Sequence, residues 1–483
     1  MPVRSYTRSQ MRLVPQTWED LLPDDHLARF VALFVDNLRD AEWWALGVKP
    51  NGEPVGAPRY HPKLLLAVWT YAFLSRMRRS RAVEQACRDS IPIIWLAGGE
   101  TPDHNTLWRF FKNREKTMRV LFRKSVATAY TMKLLDLATQ ALDGTKIAAN
   151  ASRERFRDRA TLERLLEAVE REIDQLVQEN EDDAAGKPLT GALGAAESLR
   201  ERLQEAMAHL QESGLERVNL TDPDAQLMQG RQGYLAGYNA QAMVVKLNEA
   251  EAGRPGLFVT AAEVTTEPAD QGQLALMLDA AREEVGEVAG VTVADAGYHS
   301  GANLEAAEAR EMTVLMPEAH RKHVLESPFH KDRFIYDEAA DTYRCPEGQT
   351  LRYAIQKRRR EGVRRVYRAG PVCGGCPFFG ACTKNEKRGR EIEIGVHDRA
   401  LRTQRALMRE TTALARYALR QGMVEPVFGI LKAVHGFRQF WARGLPAVRS
   451  AWLMMAFTLN MKSLYEVWRL RGAPQTWTFA EAA

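Results

Sequence analysis

No run in this chain stays apolar long enough to cross a bilayer, and its opening residues, MPVRSYTRSQ, contain no hydrophobic signal core. A cytoplasmic protein without a membrane partner is therefore expected. The phosphate-cradling pattern GxxxxGK[ST] is also missing, which removes the usual reason to expect a nucleoside triphosphate. Charge of one sign is not in large excess: the net charge is +5, too diffuse an average to identify a partner. Cysteine is scarce, five among 483 residues, yet four of the five fall between 345 and 382. In a reducing compartment such a cluster suggests metal before disulfides.

What is present is distributed unevenly. Eight basic residues (Arg352, Lys357, Arg358, Arg359, Arg360, Arg364, Arg365 and Arg368) face a single acid, Glu361, between Leu351 and Arg368. A local cluster of this kind attracts a phosphate backbone where a diffuse excess does not. At 483 residues, two to four domains are expected.

Residues 1–135 read as helical. HPKLLLAVWTYAFLSRMRRS has apolar residues at helical spacing, Ser80 is placed to cap the next helix, and Thr101-Pro102 is a strong helix-start signal. The segment that follows has Leu107, Phe110 and Phe111 for a buried face and His104, Asn105, Arg109, Lys112 and Asn113 on the other. Several short helices ending in a polar, basic one suit a helix-turn-helix DNA binder, and an ordinary bundle with a solvated face suits them as well. Two helical stripes, Leu162/Leu165/Val169/Ile173/Leu176 and Leu199/Leu203/Met207/Leu210, flank a breaker segment and predict an inserted helical hairpin. Strand-like runs occur at 137–142, 238–247, 257–262 and 291–294. Residues 330–395 read as loop-rich, and the chain is helical again from Leu401 to about Arg471. Strands scattered among helices give an α/β fold class with insertions.

Two of the strand-like runs end in carboxylates, Asp143 before Gly144 and Asp295 before Ala296-Gly297. Carboxylates at strand ends project into the crevice where open α/β sheets bind ligands, and a pair of them suits the hard ion Mg²⁺. Asp-Gly and Asp-Ala-Gly are also common turn sequences, so each alone carries nothing. Glu425 stands between Gly422 and Pro426, which suggests a helix resuming at Pro426, with Lys432 two turns on and Tyr417 and Arg420 before it. A carboxylate among Arg, Lys and Tyr suits a metal site that grips a phosphodiester; a helix-start Glu with exposed basic neighbours is the plain alternative. The cysteines, Cys345-x27-Cys373-x2-Cys376-x5-Cys382, can close a tetrahedral thiolate zinc site around the basic cluster. Cys87, in a helical pattern, reads as a buried small hydrophobe. Trp441 can stack on an unpaired base or pack against the core, and His299 beside Asp295 can orient a phosphate or water.

Read together, DGTKIAANAS (143–152), GYNAQ (237–241), VADAGYHS (293–300) and the Tyr417/Arg420/Glu425/Lys432 set resemble DDE transposases of bacterial insertion sequences, in the branch with a helical N-terminal domain and a cysteine-bearing insertion. The resemblance runs from about residue 10 to 470. It implies an RNase H-like core, with Asp143, Asp295 and Glu425 as catalytic ligands of two Mg²⁺ or Mn²⁺ ions. It also implies that Tyr417, Arg420 and Lys432 contact phosphates of double-stranded DNA, and that the protein works at the nucleoid as a homodimer on paired ends. The related signature is Tyr-x2-Arg-x3-Glu-x6-Lys; four residues separate Arg420 from Glu425 here, which makes Arg416 a second candidate for the arginine's role.

The expected organisation is a helical DNA-binding domain over 1–135 and the first part of the core over 136–328, with the hairpin inserted at 153–215. A basic, zinc-pinned insertion over 329–395 and a helical end of the core over 396–483 complete it. Expected DNA contacts outside the triad region are Arg109, Lys112, Lys357, Arg358, Arg359, Arg360, Arg364 and Arg365. The expected reaction is cleavage at element ends followed by strand transfer. A nuclease of the same core without strand transfer, or an inactive zinc-containing DNA-binding regulator, are the competing readings.

Overall fold

The computed structural model describes residues 17–47, 60–111, 115–182, 190–230, 233–318, 327–359 and 362–481; Lys112 and Arg360 lie outside them. The fold is mixed α/β. Among the described residues, seven α-helices precede the first strand: α1 (Leu27–Asp36), α2 (Asp40–Ala45), α3 (Pro62–Leu74), α4 (Ser80–Asp89), α5 (Ile91–Leu96), α6 (His104–Phe111) and α7 (Glu115–Thr131). Helix α3 starts as its sequence dictates, with Pro62 in the first turn and His61 Nδ1 accepting the Lys63 amide at 3.1 Å. It is buried on nearly every side, from Leu65 to Phe73, because α1, α5, α6 and the late helix Leu445–Leu470 surround it. Two starts differ from expectation. Ser80 is the first residue of α4 rather than its cap. Helix α6 is capped by Asp103, two residues beyond Thr101, and its Oδ1 accepts the amides of Asn105 and Thr106.

The main sheet contains β1 (Leu135–Ala148), β4 (Gln226–Gly230), β5 (Gly233–Leu247), β6 (Leu257–Thr265), β7 (Thr292–Ala294) and β8 (Val314–Leu315). Its order is β4-β5-β1-β7-β8, with β6 also on β5. Strands β4, β5, β6 and β1 pair antiparallel, while β7 and β8 run parallel to β1. Val244, Val259 and Val293 face one core together with the N-terminal helices and Trp452 and Phe457 of Leu445–Leu470. Leu142, Met243, Ala261 and Ala294 face a second core, beneath the helix Leu274–Val285. Asn460, fully buried, grips the Val259 backbone with both ends of its amide, at 2.9 and 2.8 Å.

Two excursions leave this sheet. A short ribbon, β2 (Phe156–Asp158) against β3 (Arg217–Asn219), leads into the antiparallel helices α8 (Arg159–Asp182) and α9 (Thr190–Ser213). Leu162, Val169 and Ile173 meet Leu203, Ala206 and Leu210 there in a core of their own. Residues 330–395 are loop-rich around Cys373, Cys376 and Cys382, but they also contain strands not expected from the sequence. They form an antiparallel sheet of β9 (Ile335–Asp337), β10 (Thr342–Arg344), β11 (Thr350–Arg359), β12 (Gly362–Arg368) and β13 (Glu391–Gly395), over a small core of Phe334, Tyr343, Leu351, Tyr367 and Ile392. Arginine and lysine at exposed strand positions break the apolar alternation by which strands are read, while inter-strand hydrogen bonds hold the backbone extended. No helix among the described residues is long and apolar enough to cross a membrane.

Candidate active site

Strands β1 and β7 lie side by side and parallel, with Leu142 opposite Ala294. The next residue on each chain is Asp143 and Asp295, so the register brings these two carboxylates together. Asp143 is not at a strand end as its DGT context suggests. Strand β1 continues to Ala148 because GYNAQA of β5 pairs with it, Ala242 opposite Asp143 and Gly237 opposite Ala148. The partner strand overrides the turn preference. Asp295 does follow its strand, and its Oδ1 accepts the Gly297 amide at 2.8 Å, which shapes the turn after β7.

Asp143 is mostly buried and bonded by Arg420 Nη1 at 3.1 Å. Burial raises its carboxyl; Arg420 pulls the other way, Asp295 adds to the rise, and the result is about 6. Burial works against the Arg420 charge, but Asp143, Tyr417 and Asp295 outweigh it and hold the guanidinium protonated above its ordinary range. Lys432 Nζ bonds Thr145 Oγ1, two residues along β1 on the Asp143 face, and reaches the Lys146 carbonyl at 3.4 Å. Asp143, Asp295, Tyr417, Arg420 and Lys432 therefore converge. The exposed Arg416 has no ion pair among the described residues, whereas Arg420 reaches the carboxylate.

Glu425 does not start a helix. It lies within one continuous helix, Thr411–Gly429, which tolerates Pro426 in its interior. The carbonyl that the Pro426 ring crowds belongs to Gly422, whose lack of a side chain leaves the backbone room to adjust. This helix packs on β1, β5 and β7, and Glu425 lies on its exposed side, a little over one turn beyond Arg420. After Gly429 the helix loosens into a π-turn, Ile430–Val434, that carries Lys432.

A further carboxylate borders the site, one the sequence did not single out. Asp270 Oδ1 accepts three bonds, from Asn239 Nδ2 at 2.7 Å, Gln241 Nε2 at 2.9 Å and Lys146 Nζ at 3.0 Å. A Cβ on Gly144 would lie 2.3 Å from Gln241 Nε2 and 2.6 Å from Asp270 Oδ1, so the glycine after Asp143 makes room for this network. A Cβ on Gly297 would lie 3.0 Å from Asp295 Oδ1 and 3.7 Å from Asp270 Oδ2, which sets Asp270 beside Asp295. Tyr298 donates to Gln241 Oε1, and burial together with Asp270, Asp143 and Asp295 keeps its hydroxyl protonated well above the usual range. Asp270 sits in TTEPADQGQ, which reads only as a helix start; its signal was the GYNAQ pattern, whose two amides bind it.

The remaining residues divide. Tyr238 turns away from the site and donates to buried Asp222 at 2.8 Å. Trp441 packs on Phe73, Phe111 and Phe437, the core use. His299 lies near Glu318 and Arg405, and burial lowers its pKa. Arg109 is exposed on α6. The basic hairpin is largely matched by acids: Lys357, Arg359 and Arg364 share Glu393, and Arg365 pairs with Asp341 while stacking on Tyr353 and Tyr367. Arg358 has no ion pair among the described residues.

Cys345, Cys373, Cys376 and Cys382 line one pocket as free thiols. The amides of Gln349 and Arg390 donate to Cys345 Sγ and Cys373 Sγ, both at 3.3 Å, and a Cβ on Gly389 would lie 2.9 Å from the Cys373 sulfur. The donor set and its amide bonds fit a thiolate-bound ion. Among the described residues, however, no group of three or more His, Cys, Asp or Glu side chains is arranged to hold a metal ion as it stands, here or around Asp143. Cys87 is buried and raised by burial to about 11, the state of a small inert hydrophobe.

Two family models match separate stretches of the chain. One described as a transposase DDE domain covers residues 344–465, and one described as a transposase domain (DUF772) covers residues 16–113. Asp143, Asp270 and Asp295 fall between them. No curated protein matches the chain.

Proposed function

The two matches indicate a DDE-type insertion-sequence transposase, and on that premise we propose that the Asp143/Asp295 site cuts DNA at element ends and joins the freed end to target DNA. The observation that carries the reading is the placement of Asp143 and Asp295 directly after the paired residues Leu142 and Ala294 of β1 and β7, with Arg420 reaching Asp143 from the helix that bears Glu425. The strand order, antiparallel on one side of β1 and parallel on the other, supports an RNase H-like core. Asp143 and Asp295, joined by Glu425, would hold two Mg²⁺ or Mn²⁺ ions, which when bound would supply Lewis-acid activation of the attacking and leaving oxygens.

The chain's own groups do the rest. Arg420 favours the charged form of Asp143 against the effect of burial and has donors left for a phosphate oxygen. Lys432, on Thr145, brings a second cation to the same strand face. In the first step a water oxygen bonds to phosphorus and the 3′ oxygen leaves with a proton; in the second that 3′ hydroxyl oxygen gives up its proton and bonds to a target phosphorus, and the target's own 3′ oxygen leaves and takes a proton. A homodimer that pairs two ends, and a structural Zn²⁺ on the four cysteines, belong to the same proposal.

The test is strand transfer by purified protein, Asp295→Ala and Glu425→Ala, on a labelled duplex carrying the element's terminal repeat, with Mg²⁺ and a target plasmid. Joining by wild type, with both variants binding but neither cutting nor joining, supports the reading. Variants as active as wild type sink the triad, and cutting without joining turns the proposal into a nuclease.

A further inference from the structure

The turn between α3 and α4, Ser75-Arg76-Met77-Arg78-Arg79, and the start of α4 carry four arginines in six residues. Helix α3 ends in a Schellman turn: the Met77 amide bonds the Ala72 carbonyl at 2.7 Å and the Arg76 amide bonds Phe73 at 3.0 Å. Arg76 stands at φ +67°, the left-handed position that glycine fills with least strain. A cation is thus kept where the backbone favours a residue without a side chain.

This turn is joined to the active site. Arg78 Nη2 donates to the His435 carbonyl, and its guanidinium lies 5.6 Å from the Phe437 ring centre. His435 ends the π-turn that carries Lys432, and Lys432 touches Thr145 on the Asp143 strand. Arg78 Nε and His435 Nδ1 are buried with no hydrogen-bond partner among the described residues. Burial, then the charges of Arg78 and Arg76, lower the His435 pKa to about 4. Arg76, Arg79 and Arg81 are exposed, and none has an ion pair among the described residues. In the basic hairpin, by contrast, most cations already have acid partners.

We propose that Arg76, Arg79 and Arg81 form a phosphate-binding surface for duplex DNA, continuous through Arg78 and His435 with Lys432 at the active site. The inference rests on the transposase reading for its ligand. Exposed, unmatched cations on a rigid turn release counterions when they meet a DNA backbone, and each contact steepens the salt dependence of binding.

The experiment uses the full chain in EDTA, so that nothing is cut. Binding of a fluorescein-labelled 40-bp duplex of arbitrary sequence is followed by anisotropy across a NaCl series for wild type and Arg76→Gly/Arg79→Gln/Arg81→Gln. Loss of three contacts lowers the slope of log K against log [NaCl] by up to about 2.7. Arg76→Gly relieves the left-handed strain, so thermal stability at or above wild type accompanies that loss and excludes misfolding as its cause. A triple variant with the wild-type slope overturns the surface and leaves the transposase reading standing. Wild type that shows no salt-dependent duplex binding overturns the reading itself, and the surface with it.

Discussion

Asp143→Asn in metal-free protein separates the electrostatics of the site from its catalysis. Burial and the neighbouring Asp295 lift the Asp143 carboxyl from 3.8 to about 6 despite Arg420, which corresponds to about 3 kcal/mol of pH-dependent stability. The folded value lies above the unfolded one, so this contribution is fully present below pH 3.8 and is lost as pH rises through 6. About 1 kcal/mol of it has gone by pH 4.5, and about 2 kcal/mol more disappear by pH 8. Asparagine keeps the shape of the protonated acid and does not titrate. Urea unfolding in EDTA, followed by circular dichroism, should therefore show the variant gaining about 2 kcal/mol on wild type between pH 4.5 and pH 8. Loss of the Arg420 bond lowers the variant at both pH values and cancels in the comparison. Added Mg²⁺ at pH 8 should raise the stability of wild type more than that of the variant. A variant-minus-wild-type difference that is flat with pH would refute the account of Asp143 as a buried carboxylate lifted by its surroundings.

Three further outcomes are expected. Asp270→Ala strands the donors of Asn239 and Gln241, and should cost about 1–3 kcal/mol in stability and slow strand cleavage, while Asp270→Asn retains part of both. Cys373→Ser/Cys376→Ser should abolish zinc measured by mass spectrometry in the purified protein and make residues 327–395 the first to be cleaved in limited proteolysis; wild type without zinc would remove the thiolate site. Lys124, 1% exposed, bonds Glu42 at 2.8 and 3.1 Å, so Lys124→Met should destabilise by about 3–5 kcal/mol, and Glu42→Leu added to it should recover most of the loss in thermal unfolding.

Much of the main sheet was legible because its strands are apolar on both faces. VVKL, LFVTAA and VTVA read as strands and are strands within β5, β6 and β7. The part of β1 beyond Asp143 was not, since DGTK has turn composition and is extended only because β5 lies beside it. The cysteine-bearing sheet was hidden for a similar reason: its exposed faces hold charge where a strand pattern needs apolar residues. The helical hairpin, with leucines at regular spacing on both arms, was plain. At the site, Asp143 and Asp295 could be named because each follows an apolar run. Asp270 follows none, and its importance comes from three donors supplied by two distant strands. The continuity of the Glu425 helix through Pro426 depends on burial of Met423, Val424, Val427 and Phe428 against the sheet, a tertiary effect that outweighs the proline.

The helix Leu445–Leu470 packs on both α7 and β6 and shares one apolar core with α1 and α3. The first helices therefore have no complete core until this late segment exists. During synthesis at about 5–20 residues per second, roughly 15–60 s separate the emergence of α7 from that of its partner helix. In that interval the exposed faces of α1 and α3 are surfaces for chaperones. Phe30 and Phe34, which meet Trp468, Phe457 and Phe479, are covered only when the end of the chain closes over them, so the newly made protein completes the core of its N-terminal helical layer last, not first.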